Sequence, residues 1–148
     1  MQKSLSDARA RQELLDRLDR LTPDATPRWG TMTAERMLAH LADWMLMASG
    51  EIKTAPRGRV LRYPLLKQLA IYWLPFPRGV ATSPELIGRA PLEWGIEHAS
   101  VCQRVESFEN LYLKAEWPEH PVFGQMSPKA WGVFAYRHMD HHLRQFGI

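Results

Sequence analysis

Thr33-Ala34-Glu35-Arg36-Met37-Leu38-Ala39-His40-Leu41-Ala42-Asp43-Trp44-Met45-Leu46-Met47-Ala48-Ser49-Gly50 reads as one helix, and its faces decide the fold. Thr33 takes the N-cap position, Glu35 puts a carboxylate in the first turn where the helix dipole favours it, and Gly50 stops the run. Met37, His40, Leu41, Trp44, Met47 and Ala48 share one broad face, and Leu38, Met45 and Leu46 lie on the other side. Charge is confined to Glu35, Arg36 and Asp43. A helix this apolar is either buried on two sides or covered by a partner, so a homodimer interface is one expectation it raises.

Three further helices follow from the same periodicity. The first predicted helix runs from about Ser6 to Leu21, with Leu14, Leu18 and Leu21 at helical spacing and Thr22-Pro23 ending it. The third spans Leu92 to about Leu111 and carries Trp94, His98, Val101, Val105 and Phe108 on one stripe. The fourth begins at Ser127-Pro128, an N-cap followed by proline at the first helical position, and ends at Gly147. Between the second and third lies the least regular segment, where prolines at 56, 64, 75, 77, 84 and 91 forbid a long helix. A short helix over Leu65 to Trp73 is expected within this crossover, and long loops of this kind often cover sites. No repeat, low-complexity tract or period-two alternation is present. The prediction is an all-α protein, a four-helix up-and-down bundle with a long irregular crossover between helices 2 and 3. At 148 residues the chain is expected to form a single domain over 1–148.

The bulk properties restrict the function classes. A net charge of +3 is mild, and acids and bases alternate, as in Leu14-Leu15-Asp16-Arg17-Leu18-Asp19-Arg20, which reads as a solvated helix surface. No dense basic face or helix-turn-helix spacing stands out, so nucleic acid is not an expected partner. The longest apolar stretch, Leu69 to Phe76, is far below the roughly 20 residues of a membrane span, and no membrane partner is expected. Cys102 is the only cysteine, which excludes an intrachain disulfide and a thiolate-rich metal site. The first residues lead directly into a charged helical pattern without an apolar leader, so a cytoplasmic protein acting on a small-molecule substrate is the expectation.

The chemistry is concentrated in Tyr136-Arg137-His138-Met139-Asp140-His141-His142-Leu143-Arg144-Gln145. His138 and His142 stand four residues apart, about 40° apart around a helix and about 6 Å along it, so both imidazoles can reach one metal ion. With Trp131 and Ala135 they form a face that is otherwise apolar and should point inward. His141 is swung about 100° from His142, towards the edge of that face, where second-shell work or a surface contact suits it. Asp140 is expected to point away from the core. On helix 2, His40 lies inside the apolar stripe, and alone it reads as a satisfied core residue. Three inward imidazoles on two helices that must pack together change that reading, because burying each without a partner costs roughly 1–3 kcal/mol. A divalent metal satisfies all three. His98 is a fourth inward candidate: if helices 3 and 4 are antiparallel neighbours, it falls near the level of His138 and His142. It is then a further ligand, a general base, or a core residue bonded to a carbonyl. Cys102 reads as a small buried hydrophobe and His120 as a structural loop residue. Three neutral histidines leave an open coordination position, as in catalytic zinc sites, and imidazole ligation also suits nickel, iron or copper.

Taken together, the motif Met37-Leu38-Ala39-His40-Leu41-Ala42-Asp43-Trp44, the late His138-x-x-x-His142 with Arg144-Gln145, and His120-Pro121-Val122-Phe123-Gly124 resemble the DinB/YfiT-like superfamily of metalloenzymes. The closer match is to an uncharacterised bacterial branch of it, and the similarity spans most of the chain, weakest between Glu51 and Pro91. The resemblance implies a four-helix bundle with one divalent metal, zinc or nickel, held by His40, His138 and His142. Around these ligands, His98, His141 and Gln145 are the second-shell candidates. Characterised members include thiol-dependent transferases and isomerases in which the metal activates a low-molecular-weight thiol. Common members carry Arg, Gly and Gln after the second metal histidine; here Leu143 follows it, with Arg144 before Gln145.

Three functions compete. The first is a metal-dependent thiol S-transferase, in which Arg57, Arg59 and Arg62 either bind carboxylates of an acidic thiol or form a solvated basic loop. The second is a non-catalytic metal- or ligand-binding stress-response module. The third is a structural dimeric bundle whose histidines are core polar groups.

Overall fold

The computed structural model describes residues 2–114 and 116–148, and among them every regular element is helical. The helices are α1 (Ala8–Leu18), α2 (Ala34–Ser49), α3 (Pro64–Tyr72), α4 (Trp94–Glu106) and α5 (Pro128–Gln145). Short 3-10 turns lie at Val60–Arg62, Pro84–Leu86 and Ser107–Leu113.

The caps anticipated from sequence set the helix limits. Thr33 Oγ1 accepts the Arg36 N–H at 3.2 Å, and Ser127 Oγ accepts that of Ala130 at 3.1 Å. Gly50 ends α2 in the left-handed region at φ 86°, where a side chain would be strained. The first helix is shorter than expected because Asp7 caps it and its last turn gives way to a hydrogen-bonded turn at Asp19 and Arg20. The third predicted helix also divides. Its α-helical part stops at Glu106, and the chain tightens into the 3-10 stretch that buries Phe108 completely.

Four helices pair around a ring in the order α1, α4, α2, α5, while α3 packs on α5. Helix α2 contacts α4, α5 and the turn at Pro84–Leu86, and Met37, Leu38, Leu41 and Met47 are almost fully buried. Each such side chain contributes roughly 1.5–3 kcal/mol through removal from water. The apolar flank of α2 is therefore covered by this chain's own elements. Gly132 lets the N-terminal segment cross α5 closely: Leu5 donates its N–H to the Gly132 carbonyl at 3.0 Å, and a Cβ there would lie 2.2 Å from the Tyr112 hydroxyl.

Three expectations change. In the ring, α4 and α5 are not extensive neighbours, so the alignment that brought His98 level with His138 does not hold. Arg17 is buried rather than solvated, donating to Asp140 Oδ1 at 2.8 Å and to the Ile148 carbonyl at 2.9 Å. Asp140 correspondingly turns towards α1. The long aliphatic stem of arginine allows this, since it packs like a hydrophobe while its head finds acceptors.

Candidate metal centre

His40 on α2 and His138 and His142 on α5 meet at the contact between the two helices. Their exposures are 3%, 7% and 9%, so the imidazoles are withdrawn from water. His138 Nε2 lies 3.2 Å from His40 Nε2 and 3.2 Å from His142 Nε2. Trp44 and Phe76 wall the His138 ring, with centroids at 4.9 and 5.8 Å.

The tautomers of two rings follow from their outer partners. His40 Nδ1 is 3.2 Å from the Leu86 carbonyl, which only accepts, so Nδ1 carries the proton and Nε2 its lone pair. Gln145 donates its amide nitrogen to the Trp29 carbonyl at 2.9 Å, which turns its Oε1 towards His142 Nδ1 at 3.0 Å. His142 therefore also protonates at Nδ1 and turns a bare Nε2 inward. His138 completes the set from the middle. Protonated at Nε2, it can satisfy only one of the two facing lone pairs, leaving the other and its own Nδ1 without a partner; that nitrogen is buried and unpaired among the described residues. A cation at the convergence point satisfies all three Nε2 atoms. With bonds of 2.0–2.1 Å, a tetrahedral site separates its ligand atoms by about 3.3 Å, close to the two separations found. The donor set fits a divalent metal.

Electrostatics point the same way. Burial pushes the His138 pKa well below the ordinary histidine value, and the neighbouring imidazoles of His142 and His40 push it further. Burial takes His142 down to about 3, with His40 assisting, and burial also lowers His40. All three rings are neutral at pH 7, the state a metal requires.

Of the other candidates, Gln145 is buried and orients His142 directly. His141 is half-buried beside the cluster, its ring 5.3 Å from that of His142 and against Trp29 and Phe76. His98 is not brought to this centre: its Nε2 donates to the Leu18 carbonyl at 3.1 Å, across the α1–α4 contact. His120 is a buried loop residue whose Nδ1 accepts the N–H groups of Val122 and Phe123 at 3.2 and 3.3 Å. Arg57 and Arg62 tie the crossover down, donating to the Thr82 and Pro121 carbonyls at 3.2 Å.

Several contributors lacked a sequence signal. Leu86 acts through its backbone carbonyl, which no residue type reveals. Its loop is clasped by Arg89, whose Nε donates to Asp43 Oδ1 at 2.8 Å and whose Nη2 donates to Glu97 Oε2 at 2.9 Å. Arg36 bonds the carbonyls of Ile87 and Arg89 from below. Arg78 lies 4.2 Å over the Trp29 ring at the edge of the site, in a cation–π contact.

An all-helical chain with a buried cluster of three convergent imidazoles is thus the class that fold and site define. The chain matches, over residues 2–147, the family described as "Protein of unknown function (DUF1569)" and belongs to it. No curated protein and no solved structure matches it.

Proposed function

We propose that this chain is a divalent-metal protein, holding zinc or nickel through His40, His138 and His142, and that it transfers a low-molecular-weight thiol onto small electrophiles. The same reading assigns the ring of α1, α4, α2 and α5 to the four-helix up-and-down bundle of the DinB/YfiT-like superfamily, working in the cytoplasm. The observation that carries it is the convergence of three Nε2 atoms, two with tautomers fixed by Leu86 and Gln145. A divalent ion with an open position supplies acidity, lowering the pKa of a thiol or water that binds there.

The chain's own residues do the rest. Phe76, packed against His138 and His141, limits water at the site. His141, its pKa lowered first by burial and then by Arg78, is neutral at pH 7 and stands beside His142 to accept the thiol proton. Arg78 presents a guanidinium at the same edge for a carboxylate of the thiol or its acceptor. The new sulfur–carbon bond forms as the bond to the leaving group breaks, and the leaving group departs with its electron pair and recovers the proton from His141. The depth of the three imidazoles supports a second reading, a non-catalytic metal-binding module that retains its ion.

The test is a panel of biological thiols against small electrophiles, using untagged protein loaded with zinc or nickel. The first reading expects turnover that His138→Ala abolishes while helicity survives. Full turnover by chelated, metal-free protein would sink it, and metal retention without turnover would favour the second.

A further inference from the structure

A second group of ligating side chains comes together where α4 meets the C-terminal end of α1. His98 and Cys102 are four residues apart on α4, so they share one face. Cys102 Sγ lies 3.8 Å from His98 Nδ1, and His98 Nε2 lies 3.8 Å from Asp19 Oδ1. One ligand atom from each of the three residues falls within 4.8 Å of the others.

The orientation of His98 is what turns proximity into a site. Its Nε2 is 3.1 Å from the Leu18 carbonyl, an acceptor only, so the ring is protonated at Nε2 and presents the Nδ1 lone pair to the sulfur. A metal-ligating histidine characteristically donates its other N–H to a carbonyl in this way. For tetrahedral zinc with bonds of 2.3 Å to sulfur and 2.0–2.1 Å to nitrogen, the sulfur–nitrogen edge is about 3.5 Å. The observed separation needs only a small inward adjustment. Asp19 is the C-cap of α1, with its side chain 72% exposed; its carboxylate now faces the protonated Nε2 side of the ring and joins the ion by turning towards Nδ1. The site also lies at the negative end of the α1 dipole, and the carboxylates of Asp19 and Glu106 act on Cys102.

We infer that Asp19, His98 and Cys102 form a second, half-open binding site for a thiophilic divalent ion of the zinc class, independent of the three-histidine centre. Without an ion Cys102 is a neutral thiol, its pKa raised to about 11 by burial and then by Asp19 and Glu106, and its S–H donates to His98. Binding exchanges that proton for the ion: the S–H bond breaks, the sulfur keeps the electron pair as a ligand, and one proton goes to solvent. The same high pKa argues against Cys102 as a free nucleophile.

Cobalt(II) tests this, because Cys102 is the only sulfur ligand of its kind in the chain and the three-histidine centre contains none. Stripped, untagged full-length protein is titrated with cobalt(II) while the near-ultraviolet sulfur-to-cobalt charge-transfer band is followed. The band is expected in wild type and in His138→Ala, with release of about one proton per ion bound at the site. It should vanish in Cys102→Ser, and in His98→Ala half-saturation should rise by more than about tenfold. Zinc should slow maleimide alkylation of Cys102 in wild type and not in His98→Ala, a readout that does not need the Cys102 variant to fold. Saturation of wild type without the band, or a band unchanged in His98→Ala, overturns the assignment. Failure of the three-histidine reading looks different, since the sulfur band then remains while binding lost in His138→Ala is absent from the outset.

Discussion

Replacing Arg89 by alanine isolates the clasp that holds the Leu86 carbonyl against His40. The guanidinium is about one-third exposed, but the carboxylates it serves are not: Asp43 is 4% and Glu97 1% exposed at the side chain. Removing one member of a buried ion pair costs about 3–5 kcal/mol, because the charge left behind remains desolvated. Water reaches Arg89, so the lower end, about 3 kcal/mol, applies. For a chain of this size that corresponds to a melting temperature lower by about 10 °C at pH 7. The pH dependence carries a second signature. In the wild type the Arg89 hydrogen bond holds the Glu97 pKa below the ordinary value, so its contribution is present above the unfolded pKa and lost as pH falls through the folded one. In Arg89→Ala burial, which raises the Glu97 pKa, is opposed only by the weaker effect of the Leu92 N–H bonded to the carboxylate, so that group becomes less destabilising as pH falls from 7 towards 5. Thermal melts by circular dichroism at both pH values read both effects. A melting temperature within about 2 °C of wild type at pH 7 would refute the clasp. With the loop loosened, metal affinity should also fall by about 10–100-fold, the usual effect of losing an outer-shell partner.

Two further outcomes follow from the site. Gln145→Leu removes the acceptor that orients His142 and frees the Trp29 carbonyl, so metal affinity measured by chelator competition should drop about 10–100-fold with helicity retained. Metal-free protein should lose stability on acidification: His120 and His142 have folded pKa values of about 3, so the unfolded state binds more protons below pH 6.5 and each costs about 2 kcal/mol by pH 5. Urea titrations across that range check this, and a flat profile would show these rings to be protonated in the folded state.

What the sequence revealed depended on whether the information was local. Helices α2 and α5 were legible because cap residues and 3.6-residue periodicity are written in consecutive positions. His40, His138 and His142 were legible because each sits on an apolar face that must turn inward, whatever the neighbours. His98 was not, since its level relative to α5 required knowing that α4 packs beside α1 and α2. Nothing local to α2 indicates the surroundings of Asp43, which is buried and bonded to Arg89 from a loop 46 residues away. Asp140 and Arg17 failed for the same reason, a partner 123 residues distant. Leu86 contributes only a carbonyl, and backbone groups carry no sequence signature.

The most direct test of the account is the metal content of untagged protein, wild type beside His138→Ala, after supplementation with zinc or nickel and removal of loosely bound ions by a weak chelator. His138 touches both other imidazoles, so its loss should take retained metal from about one equivalent to near zero with the helical spectrum unchanged. Wild type retaining far less than one equivalent despite supplementation, or a variant retaining as much as wild type, would contradict the three-histidine centre.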